Sequence, residues 1–323
     1  MLRIWTTSFV VFLGAASVMA AEPSVTPERS VFMKTMGGRQ FWGDVAFRSG
    51  WRIQQHITTK HFRLLDPNDF RHASGTRAEC EAKLAELAQA KSIPPMQGKA
   101  ALLIHGLIRS SKSFEKMQAS LREAGYTVVV FDYPSTRAEI KVAAGYLREV
   151  IASLKGIEQI DIVTHSMGGI VVREYLQHDP DERIHRLVMV GTPNLGAHIA
   201  QTFKRNIAFR LIFGPGGQQL AINSRYVDSL PIPDFEFGII AGSRGKPGGF
   251  NPLLPGDDDG VVSVASTRLP GASDFLEVTC LHTFLLRDQN TIDAVLRFFE
   301  AGEFRKTGEP QPIPRPAAVT NKD

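Results

Sequence analysis

The sequence predicts an α/β fold: a mostly parallel sheet with helices on both faces, a helical cap insertion and an N-terminal extension. Three observations predict it. From residue 99 onward, short continuous apolar runs alternate with stretches of helical periodicity, the pattern of strands buried on both faces and helices that cover them. Strand and helix patterns follow one another four times before any interruption, which argues for parallel crossovers rather than hairpins. The chain has 323 residues, 43% hydrophobic and 22% charged, enough for one large core.

The first elements lie before the sheet. Arg3 precedes an apolar stretch from Trp5 to Val18, and Val18-Met19-Ala20 stands ahead of Ala21. Residues 1–20 therefore read as a cleavable secretory signal. The stretch is shorter than the roughly 20 residues of a bilayer span, and an uncleaved anchor is the alternative. The expected mature protein is exported, periplasmic or secreted. Residues 21–97 form an N-terminal extension that contains Trp42 and Trp51 and ends in a helix. Thr76 and Glu79 make its capping box, and Leu84, Leu87 and Ala88 its apolar face. Two roles fit the tryptophans: peripheral membrane contact, or packing across the edge of the main domain, which the usual burial of aromatics favours.

The main domain, residues 98–303, follows Ile93-Pro94-Pro95. Strands are expected at residues 100–104, 127–131, 159–163 and 186–190. Helices follow through Phe114, Met117 and Leu121, then behind Thr136 and Glu139 as a cap, then through Tyr175 and Leu176. Residues 195–233 interrupt this rhythm. Ile199, Phe203, Ile207 and Leu211 recur every four residues, fitting either a surface helix or a cap that lines a pocket. Strands resume at 235–241 and 275–280, and Ile292, Val295, Leu296 and Phe299 mark a closing helix. Residues 304–323 are polar and proline-rich and are expected to be a disordered tail.

Charge excludes one class of function. Lys and Arg total 37 against 33 Asp and Glu, a formal charge of +4 without a basic run, so nucleic acid is not an expected partner. Cys80 and Cys280 are the two cysteines; an oxidising compartment would let them pair, and two free thiols are the alternative.

Chemistry concentrates in four short segments. Ser166, in Thr164-His165-Ser166-Met167-Gly168-Gly169, falls between a buried strand and a helix. A sharp turn there lifts the serine oxygen above the sheet edge and over a helix N-terminus, where free N–H groups favour negative charge. Thr164 stands where this turn usually has glycine. His105-Gly106-Leu107 ends the first strand of the sheet, and the Leu107 and Met167 amides are the candidate oxyanion donors. His282 follows the last strand. Asp259, within Asp257-Asp258-Asp259-Gly260-Val261-Val262, follows the preceding strand region. The order Ser, Asp, His is the one expected on this architecture. Asp257 and Asp258 are the alternatives to Asp259; three adjacent carboxylates also suggest calcium, but such runs are usually solvated loops, and no metal is expected.

These segments carry a resemblance. From Ala100 to Phe299 the chain resembles the α/β-hydrolase superfamily, in particular its bacterial triacylglycerol lipase and esterase branch. The matching residues are Leu103-Ile104-His105-Gly106, Thr164 to Gly169, Gly191-Thr192-Pro193-Asn194-Leu195-Gly196, Asp259-Gly260-Val261-Val262 and His282-Thr283. The resemblance implies cleavage of acyl esters by Ser166, Asp259 and His282 without a cofactor, with Gly191 to Gly196 beside the site. Expected substrate contacts are His105, Gly106, His165, Phe203 and Ile207, the expected substrate is a small-molecule or lipid acyl ester, and the protein is expected to be a monomer. An acyltransferase or thioesterase using the same triad, and a non-catalytic binding protein of this fold, are the alternatives.

Overall fold

The computed structural model describes residues 33–34, 40–197, 214–220 and 225–315. The expected signal segment, and Phe203 and Ile207 of the expected cap, lie outside the described residues.

The N-terminal extension folds as an antiparallel sheet of its own. Its strands are β1 (Met33–Lys34), β2 (Trp42–Arg48), β3 (Trp51–His56), β4 (Phe62–Leu65) and β5 (Phe70–Gly75), in the order β1-β5-β4-β3-β2. Helix α1 (Arg77–Ala90) follows, and its capping box is present: the Thr76 side chain accepts from the Glu79 amide, and the Glu79 carboxylate accepts from the Thr76 amide. Trp51 is buried in the core of this layer, while Trp42 packs its ring under the Arg63 guanidinium at 4.0 Å.

The second sheet is parallel throughout. It comprises β6 (Gly98–Ile104), β7 (Thr127–Phe131), β8 (Ile157–His165), β9 (Ile184–Val190), β10 (Glu236–Ser243) and β11 (Asp274–Thr279), ordered β11-β10-β9-β8-β6-β7. Side chains alternate between two cores, as the pleat requires. Ala100, Leu102 and Ile104 of β6 face one core with helices α3 (Ile140–Ser153) and α4 (Met167–Tyr175). Ala101 and Leu103 face the other with α2 (Glu115–Glu123) and the closing helix α5 (Gln289–Ala301). Burying each Leu, Ile or Val contributes about 1.5–3 kcal/mol. Helix α5 ends at Gly302 with φ 78°, a left-handed cap that glycine adopts without a side-chain clash. After β7 the chain returns past β6 to form β8, so strand order reverses between β6 and β8. The crevice at such a switch point is where open α/β sheets bind ligands.

The extension docks on the α3 side and on the β7 edge. Gly43 lies so close to the Tyr146 ring that an added Cβ would fall 2.7 Å from Cδ2. The Phe47 amide donates to Ser153 Oγ at 2.9 Å. A buried charge network joins the two sheets: Arg52 donates to Asp132 Oδ2 at 2.9 Å and pairs with Asp69. Asp44 exchanges two bonds with the backbone of Asp132, at 2.7 and 2.9 Å, and accepts from Gln54 Nε2 at 2.7 Å.

Burial pushes the Asp44 carboxyl up to about 7. Its folded-state pKa thus exceeds its unfolded value, so the folded state holds the extra proton between about pH 4 and pH 7, and stability from this group falls as pH rises through that window. Asp44→Asn removes this dependence. In denaturant titrations, the stability difference, variant minus wild type, is expected to grow from pH 4 to pH 7. A difference that is flat or shrinks across that range contradicts the assignment.

Three sequence expectations change. Helix α3 begins at Ile140 with Glu139 as N-cap and no side-chain cap bond; Thr136 instead bonds Gln40 of the extension. Residues 304–315 are ordered against β11 rather than a disordered tail. Phe304 is buried, its amide and that of Gln311 donate to the Asp274 carboxylate at 2.8 Å each, and Arg305 pairs with Asp274 at 2.5 Å. Residues 316–323 lie outside the described residues. Finally, Cys80 and Cys280 are free thiols. Cys80 is buried in the core shared by α1, α3 and α4, whereas Cys280 packs against the core on the other face of the sheet; with the sheet between them no disulfide forms.

Candidate active site

Strand β8 ends at His165, and α4 begins at Met167. Ser166 between them has φ 54° and ψ −126°, a conformation that costs a non-glycine residue about 1–3 kcal/mol. Packing holds the strain in place. The Ser166 amide donates to the Val190 carbonyl at 2.9 Å. A Cβ at Gly168 would fall 2.6 Å from the Ile104 carbonyl oxygen, and Gly169 packs on Thr192. Thr164, where glycine is usual, is fully buried and turns its hydroxyl to the Val188 carbonyl at 3.5 Å.

The three aspartates divide by their partners. Asp257 accepts the amides of Arg244, Gly245 and Lys246, at 2.8–3.0 Å. Asp258 accepts those of Phe250, Asn251 and Gly260. Asp259 is 1% exposed and accepts from Val261 and Val262 on Oδ1, at 3.0 and 2.7 Å, and from His282 Nδ1 on Oδ2, at 2.7 Å. The His282 amide also donates to the Asp259 carbonyl at 2.9 Å. Asp259 alone of the three touches the imidazole. With Nδ1 donating, Nε2 of a neutral His282 carries the lone pair.

Ser166 and His282 line the same cavity, of about 360 Å³. No hydrogen bond joins the Ser166 hydroxyl to His282, a looseness common before substrate fills such sites. Among the described residues the cavity wall is mainly apolar, with Leu107, Pro193, Ala197, Leu220 and Val262, and its polar residues besides the serine and histidines are Arg109 and Thr283. Pro193 belongs to the Gly191 to Gly196 loop, which the buried Arg173 clamps by donating to the Asn194 carbonyl at 3.0 Å and the Leu230 carbonyl at 2.7 Å.

His105 does not reach the substrate space, contrary to expectation. It is buried behind the loop, stacked on Tyr133 with ring centroids 4.4 Å apart. Its Nδ1–H donates to the Gly106 carbonyl at 2.8 Å, and its Nε2 accepts from the Tyr133 amide at 3.4 Å. Burial holds its pKa below the ordinary histidine value, so the ring stays neutral. This bond has a consequence for Leu107. The peptide unit is planar and trans, so fixing the Gly106 oxygen fixes the Leu107 N–H in the opposite direction. That N–H has no hydrogen-bond partner among the described residues. Met167, the first residue of α4, has an N–H without an intrahelical acceptor. His165 lines the cavity and donates Nε2–H to the His282 carbonyl at 3.1 Å. Burial drives its pKa well below the ordinary value, and its Nδ1 is buried without a partner among the described residues.

Gly106 contributes by having no side chain: a Cβ there would lie 2.8 Å from Ser166 Cβ and 3.1 Å from the His165 carbonyl oxygen. Gly106→Ala is expected to cost about 1–3 kcal/mol of stability by overpacking and to lower kcat on any ester the protein cleaves by at least tenfold. Unfolding curves and steady-state kinetics check both, and an alanine variant with wild-type kcat contradicts the assignment. Arg109, Asp132 and Arg173 are site residues that sequence inspection missed. Asp132 alone left a signal, as the residue directly after a buried strand on the rim that carries the chemistry.

Comparison with known proteins agrees with this architecture. A family model described as a domain of unknown function (DUF7379) matches residues 61–211. The human lysosomal thioesterase PPT2 is 24% identical over 196 residues, covering 51% of this chain and 65% of its own. The uncharacterised Mycobacterium tuberculosis protein Rv2715 is 31% identical over 156 residues, covering 46% and 43%. The chain thus spans less than two-thirds of either relative. Among solved structures, the mature Bacillus licheniformis lipase BlEst2 superposes with a TM-score of 0.50 at 21% identity, covering 65% of this chain and 94% of the lipase. Its propeptide form gives 0.52 at 21% identity, covering 67% and 54%. The chain has the α/β-hydrolase fold.

Proposed function

We propose that the protein is a serine hydrolase of carboxylic acyl esters that works through an acyl-enzyme on Ser166. The observation that carries this reading is the 2.7 Å bond from His282 Nδ1 to a buried Asp259 carboxylate, with His282 and Ser166 on one apolar cavity. His282 Nε2 takes the Ser166 proton as the hydroxyl attacks the ester carbonyl, and Asp259 stabilises the imidazolium. The Met167 and Leu107 amides hold the oxyanion. The imidazolium then protonates the departing alcohol, and water repeats the sequence to release the acid.

Surface composition supports a lipophilic substrate. Ile108, Leu195, Val261, Leu281 and Phe284 are large apolar residues exposed on the loops that carry the site. The likeness to a lysosomal thioesterase extends the proposal to thioesters, since the same tetrahedral chemistry serves both. The signal-like residues 1–20 support export to the periplasm or medium.

The test is a chain-length series of nitrophenyl esters and acyl thioesters on the purified protein, together with a fluorophosphonate probe. Turnover with a covalent adduct on Ser166 is expected. Folded protein that shows neither turnover nor an adduct sinks the enzymatic reading and leaves a binding protein of the same fold.

A further inference from the structure

Arg109 is the only fixed charge among the described residues lining the cavity. Its Nη2 donates to Thr283 Oγ1 at 2.9 Å, and none of its nitrogens pairs with a carboxylate among the described residues. A guanidinium has five N–H donors in a planar fork, so most of its hydrogen-bonding capacity is unspent on protein groups. The backbone beside it is strained: Ile108 has φ 59°, a left-handed conformation that a β-branched residue rarely adopts. The Arg109 amide closes this turn on the Gly106 carbonyl at 3.3 Å, and the Ile108 amide donates to Ser135 Oγ at 3.2 Å. One strained turn thus places both the Leu107 amide and the Arg109 side chain on the cavity wall. Observed strain of this kind points toward function.

Two physical costs follow from an unpaired cation there. Filling an apolar cavity strips water from the guanidinium, which is unfavourable unless a counter-charge arrives. Arg109 also lines the same cavity as His282, which must become an imidazolium during the reaction, and a like charge nearby opposes that step. A negative charge on the substrate removes both. Its place follows from the chemistry: His282 protonates the leaving group, and Thr283, the residue after it, holds Arg109.

Resting on the hydrolase reading above, we infer that Arg109, steadied by Thr283, forms a subsite for an anionic group, phosphate or carboxylate, on the alcohol or thiol portion of the acyl substrate. Bidentate charge-assisted bonds bind such a group while the acyl chain occupies the apolar wall.

Matched butyrate esters of phenol, meta-carboxyphenol, meta-hydroxyphenyl phosphate and meta-trimethylammoniophenol test this with wild type, Arg109→Gln and Arg109→Glu. Comparing variants on the same ester cancels differences in leaving-group reactivity. The ratio of kcat/KM for an anionic ester to that for the neutral ester is expected to fall roughly 10- to 100-fold in Arg109→Gln. In Arg109→Glu the trimethylammonio ester is expected to overtake the anionic ones. A larger fall for the phosphate than for the carboxylate identifies a phosphate site, and the reverse a carboxylate site. Lys155→Gln, which removes an equal charge on the exposed turn before β8, is expected to leave the ratio unchanged. If the ratio is the same in wild type and Arg109→Gln, the subsite is refuted while ester hydrolysis stands. If no ester turns over and Ser166 takes no fluorophosphonate, the hydrolase reading itself fails, and the subsite with it.

Discussion

Asp259→Asn is expected to lower kcat/KM for ester hydrolysis by about 10⁴-fold with little change in stability. The size of the effect follows from how the carboxylate is held. Oδ1 accepts two backbone amides, from Val261 and Val262, and Oδ2 accepts His282 Nδ1–H. An asparagine must keep its oxygen on the two amides, because its NH₂ group cannot accept from them. The NH₂ is then turned toward His282 Nδ1, which must supply a lone pair. That moves the imidazole proton to Nε2, the nitrogen that has to receive the Ser166 proton. The geometry survives and the base is lost. Asp257→Asn and Asp258→Asn are informative controls, since their carboxylates fasten the backbone at 244–246 and at 250–251 and 260; they are expected to loosen that loop without abolishing turnover. Steady-state kinetics on all three, with the imidazole tautomer read by nitrogen NMR, separates the roles. An Asp259→Asn enzyme with more than a tenth of wild-type activity would overturn the assignment.

The parallel sheet was legible in the sequence because its strands are buried on both faces. The run Ala100 to Ile104 needs no partner to be read, since every position faces one core or the other. Ser166 and His282 were legible for a related reason: each follows a readable strand on the rim where ligands bind. The extension was not. Its strands carry Asp44, Arg52, Gln54 and Arg63 inside the fold, and charges that satisfy one another across sheets break the apolar alternation on which strand reading depends. The order of residues 304–315 is hidden in the sequence for a similar reason. Their order comes from one apolar anchor, Phe304, and from backbone amides gathered by Asp274, and neither leaves a periodic trace. The motif around His105 points to a substrate contact, but the direction of its ring depends on Tyr133, 28 residues away.

Arg52→Ala is expected to destabilise the protein by about 3–5 kcal/mol, the usual cost of removing one partner of a buried ion pair. Arg52 is 4% exposed and pairs with both Asp132 and Asp69, the latter also held by Lys112 at 3.3 Å, so its loss leaves the buried Asp132 carboxylate without an Arg or Lys partner among the described residues. Asp132 contributes more than pairing. Its carboxylate accepts the Ser111 amide at 2.7 Å and the Ser111 hydroxyl at 2.8 Å, and lies 3.6 Å from His105 Nε2. His105 in turn fixes the Gly106–Leu107 peptide through its 2.8 Å bond. The charge network of the N-terminal sheet therefore ends at the peptide that carries the candidate oxyanion donor. Deleting such a donor outright costs about 10²–10³ in kcat; disturbing its aim through Arg52 is expected to cost less, with kcat falling and KM nearly constant. Arg52→Lys, which keeps the charge but not the fork geometry, should recover stability in part. Guanidinium unfolding and the split between kcat and KM measure the two effects separately. Full stability with reduced kcat, or reduced stability with unchanged kcat, would break the proposed link between the N-terminal sheet and the catalytic loop.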